Sequence, residues 1–470
     1  MNVAVDTRRE EPVLAALRQA LPPGTLLAGE DIPARNRADW SGMGPAAALA
    51  LARPASTAEV SDVLRICHAH GRAVVPQGGL TGLSGGGHPL PGCVLLSLER
   101  MAGVEEVDTA AATLTAWAGT PLQAVHDAAE AAGLACGIDL GARGSCAVGG
   151  NVATNAGGNN VLRYGMARQN VRGLEVVLPD GQVVSALNKY TKNNAGYDWT
   201  QLFIGSEGTL GVITRVVLAL HPAVRDRSTA LCAVSGFPTA LEVLRRLEAS
   251  LPGQLLAFEA MWDDYWRFAT EQAGAPAPMA LTAPLALLIE ASRPASASDG
   301  EDRLGAELAA LFEDGLVQDA VVAQSEADRR AFWAVREAPP GEYPRLLPGL
   351  LPLDVSLPLA DMERAVADLR GVLAERWPGA TALFYGHVAD SNLHLVVGPA
   401  PDGRSPKGVL EDDLYAVVAR YGGSVSAEHG IGLLKRPWLA RSRSPAELAL
   451  MATIKRALDP RNILNPGKVL

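Results

Sequence analysis

The sequence predicts an α+β protein of two or three domains. Three features carry that expectation. The chain has 470 residues, about three times the length of a typical single domain. Its first half alternates short apolar strands with loops of small residues at 77–87, 141–165 and 203–213. From about residue 226 those loops stop, longer amphipathic stretches take over, and histidines gather in two short segments near the end.

Composition narrows the class. Hydrophobic residues make up 48% and charged residues 20%, the balance of a folded globular chain. The net charge of −10, from 41 basic and 51 acidic residues, argues against nucleic acid as a partner, because phosphate binding needs clustered Lys and Arg. Five scattered cysteines (Cys67, Cys93, Cys136, Cys146, Cys232) form no C-x-x-C pair and read as buried free thiols in a reducing compartment. The first twenty residues lack the basic and apolar blocks of a signal peptide, and their acidic residues count against a mitochondrial presequence. No uncharged apolar run approaches the ~20 residues of a membrane span. The richest stretch, Leu346–Leu359, carries three prolines and Asp354. A cytoplasmic, non-spanning protein is expected.

Taken in order, residues 12–21 predict a short amphipathic helix. Ser56 and Glu59 form a capping-box signature, Val60, Val63, Leu64 and Cys67 recur at helical spacing, and Gly71 supplies the stop. Residues 72–76 and 94–98 read as buried strands around the loop QGGLTGLSGGG at 77–87. The stretch GARGSCAVGGNVATNAGGNNVLRYG at 141–165 has almost no large apolar side chains and no helical or strand period. Small residues let the backbone approach a bound group closely, and successive N–H groups in such loops form anion-binding concavities. A third small-residue segment, FIGSEGTLGVI, follows at 203–213. None of these loops contains G-x-x-x-x-G-K-[ST] or G-x-G-x-x-G, so neither a nucleoside-triphosphate P-loop nor a Rossmann site is supported. Three such loops in this order suit a long ligand with two phosphates, such as a dinucleotide. Past 226, amphipathic patterns cover 240–250 and 359–376, while 275–278 and 294–300 read as surface loops.

The segments at 76–82, 141–165 and 205–211 resemble the FAD-binding domain of the vanillyl-alcohol oxidase/p-cresol methylhydroxylase flavoproteins. Within them the chain is most similar to the FAD-linked D-2-hydroxyacid dehydrogenases, the D-2-hydroxyglutarate and D-lactate dehydrogenase group, from about residue 45 onward. The resemblance implies a two-subdomain FAD-binding domain of the p-cresol methylhydroxylase type over residues 1–225. A substrate or cap domain with an antiparallel sheet would cover 226–424, and a C-terminal helical segment, 425–470, would return to the flavin. It assigns the pyrophosphate to Pro76, Gly78, Gly79, Thr81 and Gly82. It assigns the flavin wall to Gly141, Gly144, Ser145, Gly149, Gly150, Asn151, Ala153, Thr154, Asn155, Gly157 and Gly158. Glu207, Gly208 and Ile213 would close the adenine and ribose end, and Asn465 would lie near the isoalloxazine. No histidine stands at an obvious attachment position, since His88 lies past the glycine run, so FAD is expected to bind non-covalently.

The histidines carry the chemistry. His387 and His394 flank a stretch rich in Asp, Ser and Asn that reads as a turn, which places them on neighbouring hairpin strands roughly 5 Å apart at Cβ. Glu428 would complete a two-His, one-Glu set, a recurrent catalytic zinc arrangement. Gly430 and Gly432 allow the irregular backbone that lets Glu428 and adjacent His429 face one site. A lone histidine is more often a hydrogen-bonded core residue. Here the resemblance supports ligation of a divalent metal, usually zinc, by His387, His394 and Glu428, with His429 as catalytic base. The same residue set also fits a non-haem iron facial triad, although the flavin loops argue against that chemistry. The segment WAVRE at 333–337 matches a family motif whose arginine binds a substrate carboxylate, pointing to Arg336, and Asn392 is the second substrate-binding candidate. The chain departs from D-2-hydroxyglutarate dehydrogenases at Pro352, where those have Lys, and at Val396, where they have Asn, so a monocarboxylate and a dicarboxylate both stay open.

The expected activity is FAD-dependent, metal-assisted oxidation of a D-2-hydroxy acid to the 2-oxo acid, with hydride passing to flavin N5. Electrons would then go to an external acceptor: a quinone, an electron-transfer flavoprotein or a cytochrome. A homodimer is compatible with this. A flavin oxidase of the same fold using oxygen, and a non-catalytic flavin- or metal-binding protein, are the alternatives.

Overall fold

A computed structural model describes residues 11–224, 226–293 and 302–470. The chain separates into two compact units, Met1–Gly158 with Gly165–Ala223 and Glu428–Leu470, and Asn159–Tyr164 with Val224–Ala427. Nothing in the sequence marks the excursion at Asn159–Tyr164. The segment 294–300 lies outside the described residues.

The first unit holds two sheets. In one, Leu26–Ala28, Ala50–Ala52, Val94–Ser97 and Val74–Gln77 lie side by side, the first pair antiparallel and the others parallel. Parallel neighbours need a crossover: the helix Thr57–Ala69 links Ala50–Ala52 to Val74–Gln77, and the loop at 78–93 links Val74–Gln77 to its neighbour Val94–Ser97. Ser56 Oγ caps that helix by accepting from Glu59 N at 3.3 Å, while the Glu59 carboxylate turns to Ala55 N, so only half of the capping box forms. Val60, Val63, Leu64 and Cys67 are fully buried on its inner face, and Gly71 ends it at φ +61°. The other sheet runs Val104–Asp108, Thr113–Trp117, Val212–Pro222, Val171–Val177, Val183–Ala186, all antiparallel, with Leu134–Cys136 on the far end of Val212–Pro222. The amphipathic N-terminal stretch forms the helix Pro12–Ala20. Near the C-terminus the helix Pro445–Leu458 carries a complete capping box between Ser444 and Glu447. The tail after it returns to the first sheet, where Leu464 bridges Val74 in parallel.

The second unit is a seven-stranded antiparallel sheet in the order Asp319–Val322, Asp226–Val234, Leu285–Arg293, Leu255–Trp262, Ala382–Gly386, Asn392–Val397, Leu351–Ser356. The amphipathic patterns appear as helices Phe237–Ser250 and Met362–Arg376, the latter after a single 3-10 turn. Residues 275–278 form a loop, but Ala275 turns inward and joins the apolar core. The helix Glu326–Leu346 holds three internal prolines. Pro340 cannot donate to the carbonyl four residues earlier, that of Arg336, and the Tyr265 hydroxyl donates to it instead at 2.6 Å. This fixes the turn of helix that carries Arg336.

All five cysteines are buried thiols. No described helix is long and apolar enough to cross a membrane.

Candidate functional site

Functional side chains gather in two places, one in each unit. In the first unit the three small-residue loops wall a cavity of about 350 Å³, within the ~300–1,000 Å³ range of small-molecule clefts. Pro76, Gly78, Gly79, Thr81 and Gly82 contribute to its lining. So do Gly141, Gly149, Gly150 and Asn151, then Ala153, Thr154 and Gly157. Glu207, Gly208, Ile213, Asn465, Glu428 and His429 complete the sequence-derived part of the wall.

Four residues assigned to the flavin wall do not line it. Gly144 and Ser145 are exposed at a turn, where Ser145 Oγ donates to Ala142 O. Asn155 faces away, accepting from Arg168 N at 2.9 Å and directing its amide nitrogen at Met166 Sδ. Gly158 is needed for packing: it sits at φ +92°, and a Cβ there would lie 1.8 Å from Asp139 O. His88 is buried and absent from the lining.

The glycines divide by the job they do. A Cβ on Gly79 would meet Ser145 O at 2.1 Å, and one on Gly149 would meet Ala118 Cβ at 2.5 Å, so both let loops close on each other. At Gly82, Gly141 and Gly150 a Cβ would meet nothing within 4 Å, so these keep the cavity open. Two substitutions should therefore act differently. Gly79→Ala should cost about 1–3 kcal/mol in thermal unfolding through overpacking. Gly150→Val should leave the melting temperature of the flavin-free protein nearly unchanged while flavin retention on gel filtration falls. Equal loss of stability in both variants would contradict this division.

Backbone strain marks the same cavity. Leu80, Glu207 and Asn465 line it at φ +62°, +51° and +44°, conformations uncommon for non-glycine residues. The Glu207 carboxylate accepts from Ile431 N at 2.7 Å and Gly432 N at 2.9 Å. Burial pushes this carboxyl up, against those two N–H groups. Ser84 Oγ donates to His429 O and Gly430 O. Gly430 and Gly432 take φ +76° and +50°, and a Cβ on Gly432 would sit 2.1 Å from Ser84 O. Glu207 thus lines the cavity while its carboxylate holds the His429 loop. Glu428 Oε1 accepts from Gly158 N at 2.8 Å.

The cavity fits a flavin dinucleotide. Its wall is mostly main chain, it is kept open by glycine, and Asn465 Oδ1 is buried in it with no hydrogen-bond partner. Behind it Lys468 is buried and donates to Gly86 O at 2.8 Å and His88 O at 2.7 Å. Burial lowers its ammonium from 10.5 to about 8, against the pull of Cys93, Asp39 and Glu207. Unfolded, the amine keeps its proton to about pH 10.5; folded, it releases it near 8. Between these values the unfolded chain binds more protons, so stability rises with pH. Flavin-free wild type should gain on the order of 3 kcal/mol relative to Lys468→Met across that window. Thermal unfolding of both from pH 7.5 to 10 checks it, and a constant difference would contradict it.

In the second unit the hairpin Ala382–Gly386 and Asn392–Val397 closes through a 3-10 turn at Val388–Asp390, with Ser391 at φ +71°. The histidines do not oppose each other across it. His394 faces Tyr385 on one side and Asp354 on the other, while His387 sits where the first strand enters the turn. Their rings are nonetheless 5.5 Å apart between centroids. Each has a buried carboxylate at Nδ1: Glu259 Oε1 at 2.5 Å from His387, and Asp354 Oδ1 at 3.7 Å from His394. A metal-binding histidine commonly presents its other nitrogen to such a carboxylate, so this pair fits a divalent metal. Burial pushes the Glu259 carboxyl up, but His387 and Arg336 outweigh it and hold it at about 2.

Arg336 is buried, donates from Nε to Glu259 Oε2 at 2.9 Å, and stacks over the Tyr385 ring at 4.6 Å. Asn392 is 3% exposed, and neither polar atom of its amide has a partner. Such an amide costs about 1–3 kcal/mol unless a ligand satisfies it. Ala427 N donates to Asp354 O at 3.3 Å, anchoring the chain beside His394 one residue before Glu428.

Several site residues escaped the sequence reading. Glu259 lies alone in the apolar strand LLAFEAMW, and Asp39 and Trp40 line the cavity from a segment with no glycine pattern. Lys468 sits in the closing segment, but nothing in its neighbours announces burial.

A main-chain-walled nucleotide cleft in one unit, and a buried histidine pair on an antiparallel sheet in the other, define the FAD-linked oxidoreductase class. Residues 48–187 match the family model described as FAD binding domain, and residues 224–469 match FAD linked oxidases, C-terminal domain. The chain is 40% identical to the mitochondrial D-2-hydroxyglutarate dehydrogenase of Bos taurus, over 98% of this chain and 84% of that one. It is 38% identical to the D-2-hydroxyglutarate dehydrogenase of Xanthomonas citri pv. viticola, over 98% and 97%. Among solved structures, p-cresol methylhydroxylase with substrate bound superposes with a TM-score of 0.75 at 16% identity, over 97% of this chain and 96% of that one, which establishes the fold. The chain belongs to the family of FAD-linked D-2-hydroxyacid dehydrogenases.

Proposed function

We propose that the protein oxidises a D-2-hydroxy acid to the 2-oxo acid and passes the electrons to an acceptor other than oxygen. The observation that carries this is the clamped loop in the first unit, where Glu207 and Ser84 hold His429 on the wall of the flavin cavity. FAD, bound non-covalently there, supplies the two-electron acceptor for the hydrogen on C2. His429 takes the proton of the substrate hydroxyl. Arg336 receives the substrate carboxylate, and the unsatisfied amide of Asn392 hydrogen-bonds the bound acid. His387, His394 and Glu428 hold a divalent metal, zinc by their N,N,O donor set, which would act as a Lewis acid toward the substrate oxygens.

The two departures from D-2-hydroxyglutarate dehydrogenases, Pro352 and Val396, are register partners across adjacent strands, one same-face step from Asp354 and His394. Together they replace a cation and an amide with an apolar pair, so whether a second substrate carboxylate contributes is read by comparing substrates. The test is steady-state turnover of D-2-hydroxyglutarate and D-lactate with a dye acceptor, with peroxide measured in parallel under air. Dye reduction with little peroxide supports the dehydrogenase. Rapid peroxide formation without dye would make it an oxidase.

A further inference from the structure

Glu259 is a buried carboxylate that touches two candidate site residues at once. Its Oε1 lies 2.5 Å from His387 Nδ1 and its Oε2 lies 2.9 Å from Arg336 Nε. It sits in the strand Leu255–Trp262, in the middle of the sheet, and is 1% exposed. A strand position walled on both sides by other strands normally takes an apolar side chain, and its sequence neighbours are apolar. A buried carboxylate there is costly unless both oxygens are matched.

Two contacts favour one tautomer of His387. A carboxylate only accepts, so His387 Nδ1 carries the hydrogen. Arg336 Nη2, 3.4 Å from His387 Nε2, only donates, which favours the lone pair on Nε2. Both neighbours therefore select the tautomer whose Nε2 can bind a metal. Glu259 also neutralises the Arg336 guanidinium, a positive charge that would otherwise stand against the same nitrogen and repel a cation.

We propose that Glu259 is a positioning residue for the metal site, holding His387 in the metal-accepting tautomer and cancelling the charge of Arg336. The proposal rests on the metal reading above. Glutamine at 259 keeps the shape but not the chemistry. It offers one acceptor and one donor to two N–H groups. The easiest relief is for His387 to move its hydrogen to Nε2, where it blocks the metal.

The test uses the full-length, flavin-loaded protein, stripped of metal with dipicolinate and titrated with Zn²⁺ against a chromogenic chelator. Wild type should bind one zinc per chain, and His387→Ala should lose it. Glu259→Gln should bind the same zinc about 10–100-fold more weakly, at unchanged flavin content per chain. Equal zinc affinity in Glu259→Gln and wild type would overturn the proposal. The second measurement needs no variant to fold beyond the assignment control: ¹⁵N-histidine spectra of metal-free wild type should show His387 as the Nδ1–H tautomer. An Nε2–H tautomer overturns the role of Glu259 whatever the zinc titration gives. Failure of wild type to bind zinc, with His387 still in the Nδ1–H form, removes the metal reading alone and leaves the tautomer control by Glu259 supported.

Discussion

His429→Ala is expected to slow anaerobic reduction of the bound flavin by a D-2-hydroxy acid about 10²–10⁴-fold, the usual worth of a general base. Flavin content should not change. The loop that carries His429 is held by Glu207 on the amides of Ile431 and Gly432 and by Ser84 on the carbonyls of His429 and Gly430. On the loop's side these four contacts are main chain, so they remain when the imidazole is removed. Glu207→Gln is the informative companion. It keeps an acceptor for one amide and sets a donor against the other, so it should lower both flavin retention and reduction rate. Stopped-flow spectroscopy of the flavin reads both variants. An unchanged rate in His429→Ala would assign the base elsewhere.

Removal of metal should be comparably severe. A Lewis acid on a hydroxyl is worth several kcal/mol, and each 1.36 kcal/mol is tenfold in rate, so chelation should lower kcat by at least about 10²-fold. Added Zn²⁺ should restore it in wild type but not in His394→Ala. His394 lies between Tyr385 and Asp354 in adjacent strands, with Asp354 fully buried behind it. Its loss should lower metal binding, and thermal unfolding of the same variant separates that effect from any loss of folding. The flavin spectrum should survive chelation, since of the three proposed metal ligands Glu428 alone lines the cavity. Full activity in demonstrably metal-free protein would take the metal out of the reaction.

The parts of this site that were legible in the sequence are those with a local signature. Loops 77–87, 141–165 and 203–213 need small residues for close backbone approach, and composition alone reveals that. The hairpin turn at 388–391 announces itself through Asp, Ser and Asn, and the glycines at 430 and 432 announce the irregular backbone around His429. What stayed hidden depends on partners distant in the chain. Glu259 gains its meaning from His387 and Arg336, 128 and 77 residues away. Lys468 gains its meaning from carbonyls at Gly86 and His88, more than 370 residues earlier. The register of the hairpin was also beyond local reading. Whether His394 opposes His387 or Tyr385 is decided by where the 3-10 turn begins, and a one-residue shift moves every side chain to the other face. The same holds for the small-residue wall: Gly79 and Gly150 look alike in sequence, and only the neighbouring loop shows that one is there for packing and the other for space.

The decisive observation is the colour of the flavin under nitrogen. Purified yellow protein mixed anaerobically with D-2-hydroxyglutarate or D-lactate should bleach within one turnover. The L-enantiomers should leave it yellow, and the 2-oxo acid should accumulate in a one-to-one ratio with reduced flavin. Flavin that stays oxidised with every D-2-hydroxy acid, or that bleaches equally with D and L forms, would contradict the proposed stereospecific oxidation.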